Sequence, residues 1–245
     1  MNFANILNFE YIPLSRTIDV ILNTVKEALG KPVEIEFAVD LNTDSDGKAS
    51  FYLLQIKPLV GNQLSFDIDP DTVEADQVIL YSEASMGNGK IDYLTDVIYM
   101  DTDHFNKLKT LEMAEEIDYL NRIMLNQNRQ YILIGPGRWG TQDKTVGIPV
   151  VWPQICNAKI IIELGLPDFP LDASLGSHFF HNVTSMNIGY FSVQHGHPVN
   201  YICWDKIKGK EIVHRTSFFK HIRFEKPLTV LMDGRKRKSI IIENT

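Results

Sequence analysis

Glu34-Ile35-Glu36-Phe37-Ala38-Val39-Asp40-Leu41 and Ser50-Phe51-Tyr52-Leu53-Leu54-Gln55-Ile56-Lys57-Pro58, separated by the run Asp44-Ser45-Asp46-Gly47, decide how this chain is read. The first stretch alternates strictly between the two side-chain classes, which is the period of a half-buried strand. The Asp-Gly turn signal and the second β-rich stretch predict a hairpin with a slightly long loop. Parity then sorts the side chains. Glu34, Glu36, Ala38 and Asp40 share one face of the first strand, and Ile35, Phe37 and Val39 share the other. On the second strand Phe51, Leu53, Gln55 and Lys57 share a face, opposite Tyr52, Leu54 and Ile56. Glu36 and Gln55 can therefore lie side by side if the register allows. A carboxylate, an amide oxygen and a nearby cation suit a magnesium–phosphate site, because hard oxygens hold the ion and the cation offsets phosphoryl charge. The same polar face is also what an ordinary hairpin turns to water.

Upstream, residues 13–29 are predicted to form a helix. Ile18, Ile21, Leu22, Val25 and Leu29 fall at helical spacing, and Gly30 and Pro32 end it. Pro13-Leu14-Ser15, this helix, Gly30-Lys31-Pro32-Val33-Glu34-Ile35-Glu36-Phe37-Ala38 and then Leu54-Gln55-Ile56-Lys57-Pro58 follow in order. That succession resembles the end of the ATP-grasp nucleotide-binding domain of the pyruvate phosphate dikinase and phosphoenolpyruvate synthase family. The family shows an acidic residue, Ile, Glu, an aromatic and Ala on one strand, and Leu-Gln-x-Arg-Pro on the next. The resemblance implies that Glu36 and Gln55 are ligands of Mg2+ and ATP, with Lys57 near phosphate. Lys57 stands where the family has Arg, so it keeps the charge but lacks the bidentate fork. The likeness covers residues 11–60. It implies a phosphotransferase whose N-terminal nucleotide-binding half, phosphorylatable His and pyruvate barrel lie outside this sequence, so the chain by itself is not expected to complete phosphoryl transfer. The alternative is a non-catalytic interaction or regulatory module that retains the hairpin as a remnant.

Composition shifts at Gly61-Asn62, which divides the chain into 1–61, the end of the ATP-grasp domain, and 62–245, a mixed-sheet α/β domain without assigned role. The expected fold class is thus α/β with mixed α+β character. In the second part, strands are expected at 78–81, 97–100, 130–134 and 159–163, with strand-like segments at Phe179, Tyr190, Phe191 and 201–204. Residues 83–89 read as a loop. A long helix is expected over 103–126, with Asp103 as N-cap and Leu108, Leu111, Met113, Ile117, Leu120 and Met124 as its apolar stripe. Residues 228–232 and 240–242 suggest a final hairpin around Asp233-Gly234. Residues 134–191 resemble the C-terminal region of large bacterial proteins carrying the same ATP-binding domain, a likeness without assigned chemistry.

Gly135-Pro136-Gly137-Arg138-Trp139-Gly140 matches the spacing of a dinucleotide-binding loop after an apolar strand, and Glu163 closes the next apolar run. That reading requires a helix immediately after the glycines, and Gly147 and Pro149 make 141–151 a poor one. Two alternatives are an anion loop built on Gly135, Gly137 and Arg138, and a structural turn with Trp139 in the core. His178, His181, His195 and His197 lack acidic or Cys partners at ligand spacing and read as core histidines. Ser174 and Ser177 form no nucleophile elbow.

With 245 residues, 44% hydrophobic, 22% charged and a net charge of −7, the chain has globular composition and no overall footprint for nucleic acid. Arg235-Lys236-Arg237-Lys238 reads as a solvated turn. Cys156 and Cys203 are expected to be buried free thiols. The absence of an apolar run of spanning length and of a basic leader at Met1 leads to the expectation of a cytoplasmic protein with a nucleotide as its small-molecule partner and without a membrane association.

Overall fold

In the computed structural model the described residues are 12–29, 33–42, 46–58, 68, 73–74, 76–102, 105–141, 143, 145–171 and 188–244. The chain divides into two compact units, Met1–Gly61 and Asn62–Thr245. It is a mixed α and β protein. Among the described residues no helix is long and apolar enough to cross a membrane.

The first unit contains helix α1 (Leu14–Leu29) and an antiparallel hairpin, β1 (Val33–Asp40) with β2 (Ser50–Pro58). Along α1, Leu14 is buried, Ile18, Ile21, Leu22 and Val25 are half-buried, and Leu29 is exposed. The stripe read from the spacing is therefore real, but its last member lies outside the packing. The hairpin's register carries a bulge. Glu36 pairs with Gln55 and Phe37 with Leu53, which leaves Leu54 as the extra residue of β2. Beyond the bulge Phe37 stacks on Phe51 with ring centroids 4.9 Å apart.

The second unit is built on a mixed ten-stranded sheet. Its strands are β3 (Val78–Ser82), β4 (Ser85–Met86), β5 (Gly89–Met100), β6 (Tyr131–Pro136), β9 (Ala158–Leu164), β10 (Gly189–Val193), β11 (Tyr201–Ile202), β12 (Ile212–Arg215), β13 (Phe219–Asp233) and β14 (Lys238–Ile242). The order is β11-β3-β14-β13-β5-β6-β9-β10-β4, with β12 on β13. A separate pair is formed by β7 (Arg138–Trp139) and β8 (Gly147–Ile148). Strands β5, β6, β9 and β10 are parallel neighbours, and β13 runs antiparallel to β5. The sheet curls until its two ends meet: Ser82 Oγ, at the end of β3, donates to Ser192 O at 2.8 Å, and Ser192 N donates to Ala84 O at 2.9 Å.

Both faces of the parallel strands are covered, which is why they read as unbroken apolar runs. Val97, Tyr99, Ile132, Ile134, Ile160, Ile162, Phe191 and Val193 pack with Ile207 of the short helix α3 (Trp204–Lys208). Ile98, Met100, Leu133, Ile161 and Tyr190 pack on the opposite side against helix α2 (Thr110–Asn126). Met113, Ile117, Leu120 and Met124 of α2 are buried, each such side chain contributing about 1.5–3 kcal/mol of hydrophobic free energy.

Several expectations are corrected here. The α-helix starts at Thr110 after a 3-10 turn over Lys107–Lys109 whose cap is Asn106, later than the expected 103; the expected N-cap Asp103 lies outside the described residues. Leu108 is 86% exposed and Leu111 is also exposed, so the apolar stripe begins only at Met113. Leu108→Ser should therefore change unfolding free energy by no more than about 0.5 kcal/mol. Urea unfolding checks this, and a loss above about 1 kcal/mol would return Leu108 to the packed face. Residues 83–89 contain the edge strand β4, and β5 extends well beyond 97–100. Trp204 opens α3 rather than continuing β11. The last hairpin is as expected, with Arg235, Lys236 and Arg237 exposed in its turn, but β13 begins much earlier than 228. Its register shifts between Arg223 and Leu228, where Pro227 falls, and a bulge is where a strand tolerates a proline. Cys156 and Cys203 are free but only half-buried.

Candidate functional site

Glu36 and Gln55 are directly opposed across the hairpin, and Glu34 opposes Lys57. Directly opposed residues share a face, so the acid and the amide stand side by side. Lys57 reaches diagonally, placing Nζ 3.0 Å from Glu36 Oε1. Both side chains are about two-fifths exposed, so this ion pair contributes little stability. The end of the Gln55 amide nearest Glu36 lies 3.3 Å from Oε2 and 3.2 Å from Oε1. With nitrogen at that end, Gln55 donates to the carboxylate, and both groups are satisfied.

The pair offers magnesium one carboxylate and one amide oxygen, beside phosphate and water, only with the amide turned so that its oxygen faces the ion. It does not fit an all-protein cage: among the described residues no group of three or more His, Cys, Asp or Glu could hold a metal.

In the second unit the glycine loop ends β6 and leads into β7. The room beside Gly135, Gly137 and Gly147 is filled. A Cβ on Gly135 would meet the Trp139 ring at 2.4 Å, and one on Gly137, where φ is +65°, would meet Phe169 at 2.2 Å. One on Gly147 would meet Arg138 O at 2.0 Å. Close packing accounts for these glycines. After Gly140 the chain runs into β8 and a 3-10 turn over Trp152–Gln154, so the described residues between 141 and 156 form no α-helix. The structural context required for a dinucleotide site is missing. Trp139 is buried, with Nε1 donating to Ile162 O at 3.3 Å.

Beside that loop stands a group whose role sequence reasoning missed. Glu163, on β9, is buried; its Oε1 accepts from the Tyr190 hydroxyl and from Trp139 N at 3.3 Å. Burial pushes its carboxyl up to about 7, although those hydrogen bonds and the Arg138 charge pull the other way. An acid inside an otherwise apolar run was the available signal.

Compared with known protein families, with curated proteins and with solved structures, the chain matches none.

A well-formed cavity lies beyond the carboxyl ends of β5, β9 and β10 and has a volume of about 840 Å3. His195 and His197, expected in the core, are instead exposed on its wall. They sit in the turn after β10, where Gly196 has φ +69°, so a chain reversal and not a strand carries them. His178, His181, Ser174, Ser177 and Phe179 lie outside the described residues.

Proposed function

We propose that the hairpin face of the first unit is part of an ATP·Mg2+ site in a phosphotransferase resembling phosphoenolpyruvate synthase and pyruvate phosphate dikinase. The observation that carries this reading is the direct opposition of Glu36 and Gln55 with Lys57 Nζ at 3.0 Å from the carboxylate. Glu36 and Gln55 supply two oxygens to the metal, which in turn would neutralise phosphate charge when bound. Lys57 moves from Glu36 to a phosphate oxygen as a point charge. The rest of the clamp comes from an N-terminal nucleotide-binding half that acts as the partner of this unit. The chain's own groups orient the triphosphate; the phosphoryl acceptor is handled elsewhere.

A second reading is favoured by the same ion pair. Glu36 already has Lys57 and Gln55 as partners, so the face is satisfied without a ligand. In that case the hairpin is a remnant within a non-catalytic interaction module.

Titrating the full-length protein with ATP·Mg2+ in a calorimeter separates the two. Under the first reading Glu36→Ala weakens binding about 10-fold or more, as loss of a charged ligand does. Lys57→Arg binds at least as well as the parent, because the fork suits phosphate. Equal affinity in the parent and in Glu36→Ala, or no ATP·Mg2+ binding by the parent, would leave the remnant.

A further inference from the structure

We propose that the cavity at the carboxyl ends of β5, β9 and β10 binds a small organic anion that carries an aromatic ring. In sheets with parallel strands, ligands bind in the crevice beyond the carboxyl ends. A volume of about 840 Å3 is within the range of small-molecule sites. Trp204 of α3 and the loop after β10 contribute to its wall.

Three polar side chains of the lining have an acceptor in use and a donor left over. Asn200 is buried, and its Oδ1 accepts from Glu83 N at 2.8 Å. An N–H donor requires the amide oxygen at that position, so the side-chain nitrogen is what remains, and among the described residues it has no hydrogen-bond partner. Gln194 repeats the pattern, with Oε1 accepting from Leu171 N at 3.2 Å. His197 Nδ1 accepts from Asn200 N at 3.0 Å and from Val199 N at 3.2 Å. Its ring therefore carries the proton on Nε2, another donor. All three residues line the cavity, as does Lys107. One acidic side chain on the lining, Asp168, is exposed.

Donors of this kind pair with the oxygens of a carboxylate or a phosphate, and such charge-assisted bonds are the stronger sort. The remaining wall supplies Phe105, Phe169 and Trp204. Phe105 and Phe169 already meet edge to face, with centroids 4.9 Å apart, and rings that pack this way accept another ring in offset contact. The ligand class follows from the two kinds of lining: donors for an oxygen anion and rings for a flat one. It is independent of the hairpin, and the probes chosen contain no nucleotide.

The test is calorimetric titration of the full chain with phenyl phosphate, benzoate, benzamide and inorganic phosphate. At least one aromatic anion should bind saturably, one to one, and the preference between phosphate and carboxylate names the headgroup. Benzamide and inorganic phosphate should each bind about tenfold more weakly or worse. Asn200→Asp and Gln194→Glu keep the oxygen that accepts the backbone N–H and replace the donor by a negative charge. Each should weaken the aromatic anion about tenfold or more while leaving the thermal midpoint within a few degrees of the parent. If Asn200→Asp does not fold, Gln194→Glu alone decides. Failure of both anions to saturate, equal binding of benzamide, or unchanged affinity in the folded variants would overturn the proposal.

Discussion

Asp96→Asn is expected to lower the unfolding free energy at pH 7 by about 3–5 kcal/mol, because it leaves the Arg129 and Arg223 guanidiniums facing a neutral side chain. Asp96 lies on β5 and is 1% exposed. Its Oδ1 accepts from His221 Nε2 and from Arg223 Nε, each at 2.8 Å. Its Oδ2 accepts from Arg129 Nε at 2.8 Å and Nη2 at 2.6 Å, and from Thr95 Oγ1 at 3.0 Å. Arg129 and Arg223 keep more than a third of their side chains in water, which places the loss nearer the lower end of that range. His221 is buried, and among the described residues its Nδ1 has no hydrogen-bond partner.

The pH dependence has a definite sign. Burial pushes the Asp96 carboxyl up, but the hydrogen bonds from His221, Arg223, Arg129 and Thr95 outweigh it and hold the group well below the usual carboxylate range. A depressed value means that the stabilisation is fully present above the ordinary Asp value and is lost as pH falls below it. Urea unfolding from pH 7 to pH 3 should show a parent that loses stability on acidification and an Asp96→Asn variant that loses less. A deficit under about 1 kcal/mol at pH 7 would mean that the network is not a unit.

Glu163→Gln should act in the opposite direction and stabilise the protein at alkaline pH. The Glu163 carboxyl is raised from 4.5 to about 7, first by burial. The folded state therefore prefers the protonated acid. Its contribution is fully present below the unfolded value and is lost as pH rises through about 7. The whole change amounts to about 3 kcal/mol. Gln is neutral throughout and its oxygen can still accept from the Tyr190 hydroxyl and Trp139 N. The variant should match the parent near pH 5 and exceed it by about 3 kcal/mol near pH 9 in chemical denaturation. A stability difference that is flat across that interval would show that Glu163 ionises as an ordinary acid.

Much of the first unit was legible because its information is local. Strict alternation in Glu34–Leu41 assigns faces without knowing any partner, and a return strand close by in sequence leaves few registers. That is why the pairing of Glu36 with Gln55 could be stated as a condition and then met. Even there Leu54 escaped, since nothing in the alternation marks where a bulge will fall. In the second unit the parallel strands were visible as apolar runs. Their extents were not, because β5 and β13 gain their extra residues by pairing with each other across more than a hundred positions of sequence. Glu225-Lys226-Pro227 looks like a break in any local window, and only the bulge against β5 lets the strand continue.

The sequence by itself determined where side chains of each period would point: the acid and amide on one hairpin face, the buried stripe from Met113 to Met124 on α2, the basic residues in the final turn. Tertiary structure alone decided which distant residues became neighbours. It drew Asp96, Arg129, His221 and Arg223 into one charged cluster. It sealed Glu163 with Tyr190, and it opened a cavity beyond the carboxyl ends of β5, β9 and β10. The physical reason is range. Periodicity is a property of a few consecutive residues, whereas burial, charge pairing and cavity shape are set by strand order and curl, which no short stretch encodes.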